Sequence, residues 1–144
     1  MRTYLLDTNI VSEPAKPRPD AAVVALIAEH QTACTISALT WHELRYGVGR
    51  LQPGRRRDAL AAYVNLLPSR FPILAYDARA ADWHATLRVR DAAAGTGRPF
   101  ADGQIAAIAA TNSLTLITRN VADFSGIEDI ALDNWHPTDH SDSA

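Results

Sequence analysis

The sequence predicts an α/β fold: a central, mostly parallel sheet with helices on both faces. Three observations predict it. Short apolar runs recur along the chain without polar/apolar alternation, as expected of strands buried on both faces. Segments with apolar residues at helical spacing separate them. Asp, Ser, Pro and Gly stand at the junctions, where caps and turns need them. Strand and helix in regular alternation is the pattern of parallel βαβ units.

Each element follows in order. Tyr4-Leu5-Leu6 is a buried strand that stops at the polar turn Asp7-Thr8-Asn9. A loop with Pro14, Pro17 and Pro19 leads to Asp20, the N-cap of a helix carrying Val23, Leu26 and Ile27. Ala33 to Ile36 forms a second strand, and Ser37 caps the next helix, which weakens at Gly47 and Gly49. After Pro53-Gly54, a helix over about 56–67 stripes Leu60, Tyr63, Val64 and Leu67, with Pro68 ending it. Pro72 to Tyr76 is a third strand. Asp77 caps an alanine-rich helix that terminates near Gly95 and Gly97. Asp102 opens another helix, with Ile105, Ile108 and Ala109. Leu114 to Thr118 is the clearest strand, and 130–132 is a weak last one. Residues 1–135 are expected to form one domain, and 136–144 a polar, acidic tail.

Composition narrows the function. The 144 residues have 47% hydrophobic and 21% charged side chains, which fits one globular domain with a real core and excludes disorder or a fibre. The formal charge is −2. It divides unevenly: fourteen basic and ten acidic residues to Arg119 leave +4, and six acids beyond it give −6. Thirteen of the basic residues are Arg, whose planar fork binds phosphate or carboxylate, although a GC-rich genome produces the same bias. The single Cys34 excludes an intrachain disulfide or a Cys-cluster zinc site. A start that meets Asp7 after two leucines has no signal-peptide stretch, and no run is long enough to span a membrane. The expected setting is cytoplasmic.

The candidate chemistry is acidic. In an open parallel sheet, ligands gather beyond the carboxyl ends of the strands. Asp7 lies there after the first strand, and Thr118, Arg119 and Asn120 after the clearest one. Asp102 sits in the first turn of the helix leading into that strand, and Glu43 on the helix after the second. Carboxylates converging without cations repel one another unless a cation binds between them. A hard divalent ion resolves the conflict, and it activates water and stabilises a phosphodiester under attack. Local alternatives stand beside this reading: an Asx-turn for Asp7, an N-cap for Asp102, and for Glu43 a capping box begun by Thr40.

The motifs Leu5-Leu6-Asp7-Thr8-Asn9, Ser37 to Gly47, Ala101 to Ala107 and Leu114 to Asn120 stand in an order that resembles the PIN-domain ribonucleases. Within them the chain is most similar to the VapC toxins of type II toxin–antitoxin systems; Ser12-Glu13-Pro14 and Asn134-Trp135-His136 lean toward the FitB-like branch. The resemblance implies an α/β/α sandwich, a Mg²⁺ or Mn²⁺ site, endoribonuclease activity, a homodimer and neutralisation by a VapB-type antitoxin. Any DNA contact would come through the antitoxin. Asp7, Glu43 and Asp102 match the three principal acids, with Asp7 and Asp102 as the most direct metal ligands. On this reading a metal-activated water attacks RNA in line and leaves a 5′-phosphate and a 3′-hydroxyl. Thr8 and Thr118 orient carboxylates or waters, and Arg119 is the candidate phosphate contact.

One position departs from the pattern. Many relatives have Asp directly after the Thr-Arg pair, where this chain has neutral Asn120. Asp123, three residues on, is the candidate replacement charge. The departure favours one metal, or a second recruited with substrate, and keeps open a catalytically quiet module acting through protein or RNA binding.

Other features carry less. Arg55-Arg56-Arg57 reads as a solvated helix start, with RNA backbone or an acidic antitoxin segment as alternatives. Trp41, Trp83 and Trp135 read as core or interface anchors. His136 and His140 lie in the tail without a Glu partner, so no metal site is expected there. Gly47-Val48-Gly49 and Gly95-Thr96-Gly97 lack the rest of a dinucleotide fingerprint, and the sole Lys16 leaves no Walker site.

Overall fold

A computed structural model describes residues 2–137. Five parallel strands form one sheet in the order β3-β2-β1-β4-β5. They are β1 (Tyr4–Leu6), β2 (Cys34–Ser37), β3 (Ile73–Leu74), β4 (Thr115–Ile117) and β5 (Ala131–Asp133). The helices are α1 (Thr8–Val11), α2 (Ala21–Glu29), α3 (Ala38–Arg50), α4 (Arg55–Arg70), α5 (Ala78–Ala94) and α6 (Phe100–Thr111).

Alternation along β1 divides the core. Leu6 faces a cluster with Ile10, Val23, Ile36, Val64, Leu67 and Ile117, under α1 to α4. Leu5 faces the opposite cluster with Leu87, Ile105, Ile108 and Leu116, under α5 and α6. The chain winds outward from β1 through β2 to β3, then returns to lay β4 on the other side of β1. Order therefore reverses between β1 and β4, and the crevice at their carboxyl ends is the switch point where α/β sheets bind ligands. In register, Leu6 lies beside Ile117, so Asp7 and Thr118 emerge together.

The caps at Asp20, Ser37 and Asp77 form as expected, each accepting backbone N–H groups. Gly95 closes α5 in the left-handed region at φ 71°, a conformation glycine adopts without a Cβ penalty. Several boundaries differ. Pro68 does not end α4 but lies inside it; a proline in the last turn forfeits one N–H bond, and Phe71 N–H closes the helix on the Leu67 carbonyl at 2.8 Å. The third strand shrinks to two residues because β3 is an edge strand paired with β2 alone. The Asp-Thr-Asn turn proves to be the start of α1.

His136 lies in the core, not in a polar tail: it is buried and meets Glu13 at 3.2 Å. Trp135 packs beside it, edge-on to Tyr4 with ring centroids 5.2 Å apart. His140 and the rest of the expected tail lie outside the described residues.

Candidate active site

Asp7 links three segments at the switch point. It is the N-cap of α1, with Oδ1 accepting the Thr8 N–H at 2.8 Å. Its Oδ2 accepts the Thr118 hydroxyl at 2.9 Å, which ties β1 to β4. The local Asx-type bond therefore exists, but it uses one oxygen and leaves the other to a long-range partner. Burial pushes the Asp7 pKa up; the Thr118 and Thr8 bonds counter it, and the negative charge of Asp123 adds to the rise.

Thr118 is fully buried and holds two neighbours at once: its hydroxyl donates to Asp7 and accepts the Asn120 N–H at 3.1 Å. Asn120 itself is exposed and precedes the short 3₁₀ helix Val121–Phe124. Arg119 is exposed, and its backbone N–H is held by Asn9 Oδ1 at 3.1 Å.

Asp102 is half-buried in the first turn of α6. It is not the N-cap, because α6 begins two residues earlier behind Pro99, which offers no side-chain cap. Burial raises its pKa first, then the charges of Asp123 and Asp7, against an opposing effect from Arg98. The negative charge of Asp123 thus acts on both Asp7 and Asp102, and that of Asp7 acts on Asp102. Among the described residues neither Asp7 nor Asp102 forms an ion pair, and no three His, Cys, Asp or Glu side chains are drawn together around one point. These acids repel one another without closing on a single point.

Glu43 approaches from the other wall. Ser37, not Thr40, caps α3, so no capping box begins at Thr40 and Glu43 is not engaged in one. Thr40 is buried and accepts the Thr8 hydroxyl at 3.2 Å, while Glu43, one turn on, is exposed. Glu43 lines a cleft of about 380 Å³ with Leu39, His42, Tyr76, Ala101 and Gln104, so it faces the turn that carries Asp102.

Three positioning residues escaped sequence reasoning. Arg98, 8% exposed, pairs with Asp91 at 3.0 Å and donates to the Asp123 and Ser125 carbonyls at 2.7 and 3.2 Å, anchoring the Asp123 turn to α5. Gly103 lets α6 close on α5, since a Cβ there would collide with the His84 ring. Thr40 fastens the Asp7 turn to α3. The only local hint was Asp-Gly near a helix start.

Against this geometry, the PIN-domain family model matches residues 4–128. The chain belongs to the PIN-domain family. The PIN-domain assignment agrees with full-length similarity to individual proteins. The chain is 37% identical over 141 residues to "Toxin FitB" of Neisseria gonorrhoeae, covering 92% of this chain and 98% of that one. It is 32% identical over 137 residues to "VapC ribonuclease Y4jK" of Sinorhizobium fredii, at 92% and 98% coverage. The crystal structure of DNA-bound VapBC from Salmonella typhimurium superposes with a TM-score of 0.82 at 28% identity, covering 94% of this PIN domain and 99% of that chain.

Proposed function

We propose that this PIN domain is a divalent-cation-dependent endoribonuclease, the toxin of a toxin–antitoxin pair. One observation carries the chemistry: Asp7 and Asp102 converge at the switch point, partly desolvated, raised in pKa and, among the described residues, without ion pairs. Such a set is costly alone and suited to a hard cation with oxygen ligands. Asp7 and Asp102 would hold Mg²⁺ or Mn²⁺ directly, with Glu43 and Asp123 contributing charge from the rim. When bound, the ion supplies Lewis-acid stabilisation and acidifies a coordinated water.

The chain's own residues prepare the site. Thr118 fixes the Asp7 carboxylate by its hydroxyl, and Thr8 fixes the turn through Thr40. Arg98 keeps Asp123 near the other acids by gripping its backbone. The open cleft between α3 and α6 admits a single-stranded or looped RNA segment, the form in which RNA bases are accessible. The similarity to a protein named a toxin and to a VapBC assembly on DNA supports an antitoxin partner, through which DNA would be bound.

Inducible expression of the wild-type chain and Asp7→Asn, with 5′-end sequencing of cellular RNA, tests this reading. New RNA ends with the wild type, absent with Asp7→Asn, are expected. Growth arrest without new ends would instead favour the catalytically quiet binding module.

A further inference from the structure

The loop after α1, the end of α3 and the start of α4 enclose a cleft of about 450 Å³. Its walls include Ser12 and Lys16 from the loop, Gly47 and Arg50 from α3, and Arg56 from α4. Cations from three separate segments therefore meet at one cavity, and Arg55 and Arg57 flank Arg56 on the same turn. Two carboxylates stand nearby. Glu13 is already occupied by Lys16 at 2.7 Å, by the Asp20 N–H and by His136. Asp58, in the first turn of α4, is exposed. Three cations line the cleft, Lys16, Arg50 and Arg56, and with Lys16 paired to Glu13 the two arginines leave a local positive surface on a chain of net charge −2.

The arrangement is electrostatically unfinished. Helix α4 starts at Gly54 with no side-chain cap, so its first N–H groups present the positive end of the dipole. Three arginines in that turn add like charge, where acids are the favourable choice. Arg50 extends over the Tyr46 ring at 5.3 Å, and among the described residues neither Arg50 nor Arg56 forms an ion pair. An anion seated in the cleft would satisfy the guanidinium forks of Arg50 and Arg56.

The cleft also lies close to the proposed chemistry. Ser12 on its wall is the C-cap of α1, whose N-cap is Asp7. Five residues at helical rise put their Cα atoms roughly 8 Å apart. We propose that this cleft is a phosphate subsite that holds the RNA backbone a few nucleotides from the scissile bond. The proposal rests on the endoribonuclease reading and adds a substrate track to it. RNA is favoured over an acidic protein segment because one short helix separates the guanidinium-lined cleft from Asp7, and a strand cleaved internally carries further phosphates over such a distance.

Salt-dependent binding tests it. Fluorescently labelled single-stranded RNA is titrated with Asp7→Asn protein across a KCl series at fixed Mg²⁺, alone and combined with Arg50→Ala/Arg56→Ala. Each lost phosphate contact should reduce the slope of log K against log salt by about 0.7, so the double variant should lose about 1.4, with Kd roughly tenfold weaker. Arg50→Lys/Arg56→Lys should retain most of the slope. Without the Asp7 change, Arg50→Ala/Arg56→Ala should raise KM at nearly constant kcat. Unchanged slope and Kd would overturn the subsite while leaving the nuclease reading intact. Unchanged RNA binding with weakened binding of polyglutamate would overturn it in favour of an acidic protein partner. The predicted slope loss in a chain whose wild type cleaves no RNA would refute the nuclease reading, and with it the placement beside a scissile bond, and leave an RNA-binding cleft.

Discussion

Replacing Glu13 by Gln should cost stability in a pH-dependent way that can be worked from its contacts. The side chain is 4% exposed. Its Oε1 accepts the Asp20 N–H at 2.8 Å, and its Oε2 meets Lys16 Nζ at 2.7 Å and His136 Nε2 at 3.2 Å. Burial alone would raise its pKa; the bonds to Lys16, Asp20 and His136 overcome that and lower it from 4.5 to about 2. At 1.36 kcal/mol per pH unit, the difference stabilises the fold by about 3 kcal/mol at pH 7. Because the Lys16 side chain is 43% exposed, solvent screening reduces this to about 2 kcal/mol. A lowered carboxyl pKa contributes fully above 4.5, and the contribution disappears as pH falls toward 2. Urea unfolding followed by tryptophan fluorescence at pH 7, 5, 4 and 3 should show the gap between wild type and Glu13→Gln narrowing steadily below pH 4.5. A gap that stays constant from pH 7 to 3, or is below about 0.5 kcal/mol at pH 7, would refute the claim that this triad fastens the C-terminal segment to the loop after α1.

The candidate active site makes the opposite prediction. Burial raises the Asp7 pKa, so above that pKa its ionised form destabilises the fold; Asp7→Asn should raise the melting temperature at pH 7, with the gain shrinking as pH falls and Asp7 is protonated, while cleavage is lost. Thr118→Val removes the hydroxyl that orients Asp7 and holds Asn120, and should lower activity by roughly 10–100-fold with a higher Mg²⁺ requirement. Gly103→Ala drives a methyl into the buried His84 ring, whose Nδ1 is bonded to Tyr76 at 2.8 Å; a loss of about 1–3 kcal/mol in urea unfolding is expected, with reduced activity because Asp102 is the adjacent residue.

What could be read from the sequence was what local rules encode. Asp7 stood out because an apolar run stopped at a carboxylate, and the parallel sheet followed from runs such as Leu114 to Thr118. Caps at Asp20, Ser37 and Asp77 were legible because the capping chemistry is local. Asp102 was placed on the correct turn, but the N-cap that stood as its local alternative falls to Pro99, which carries no capping signal of its own. His136 was assigned to a tail by its acidic neighbours, whereas its burial depends on Glu13, 123 positions away. Arg98 gripping the Asp123 turn, and Gly103 against His84, are likewise tertiary contacts that no periodicity announces. Asn120 drew attention as a missing acid, with Asp123 as the candidate replacement charge; in the folded chain the charge of Asp123 acts on both Asp7 and Asp102.

The central claim is that the carboxylates at the β1/β4 switch point bind a divalent cation to cleave RNA. Single-turnover cleavage of a labelled RNA, measured against Mg²⁺ concentration for wild type, Asp7→Asn and Asp102→Asn, tests it most directly. Saturable Mg²⁺-dependent cleavage by the wild type, abolished by EDTA and reduced at least about 100-fold in both variants, is predicted. Cleavage that persists in EDTA, or survives at full rate in either variant, would contradict it.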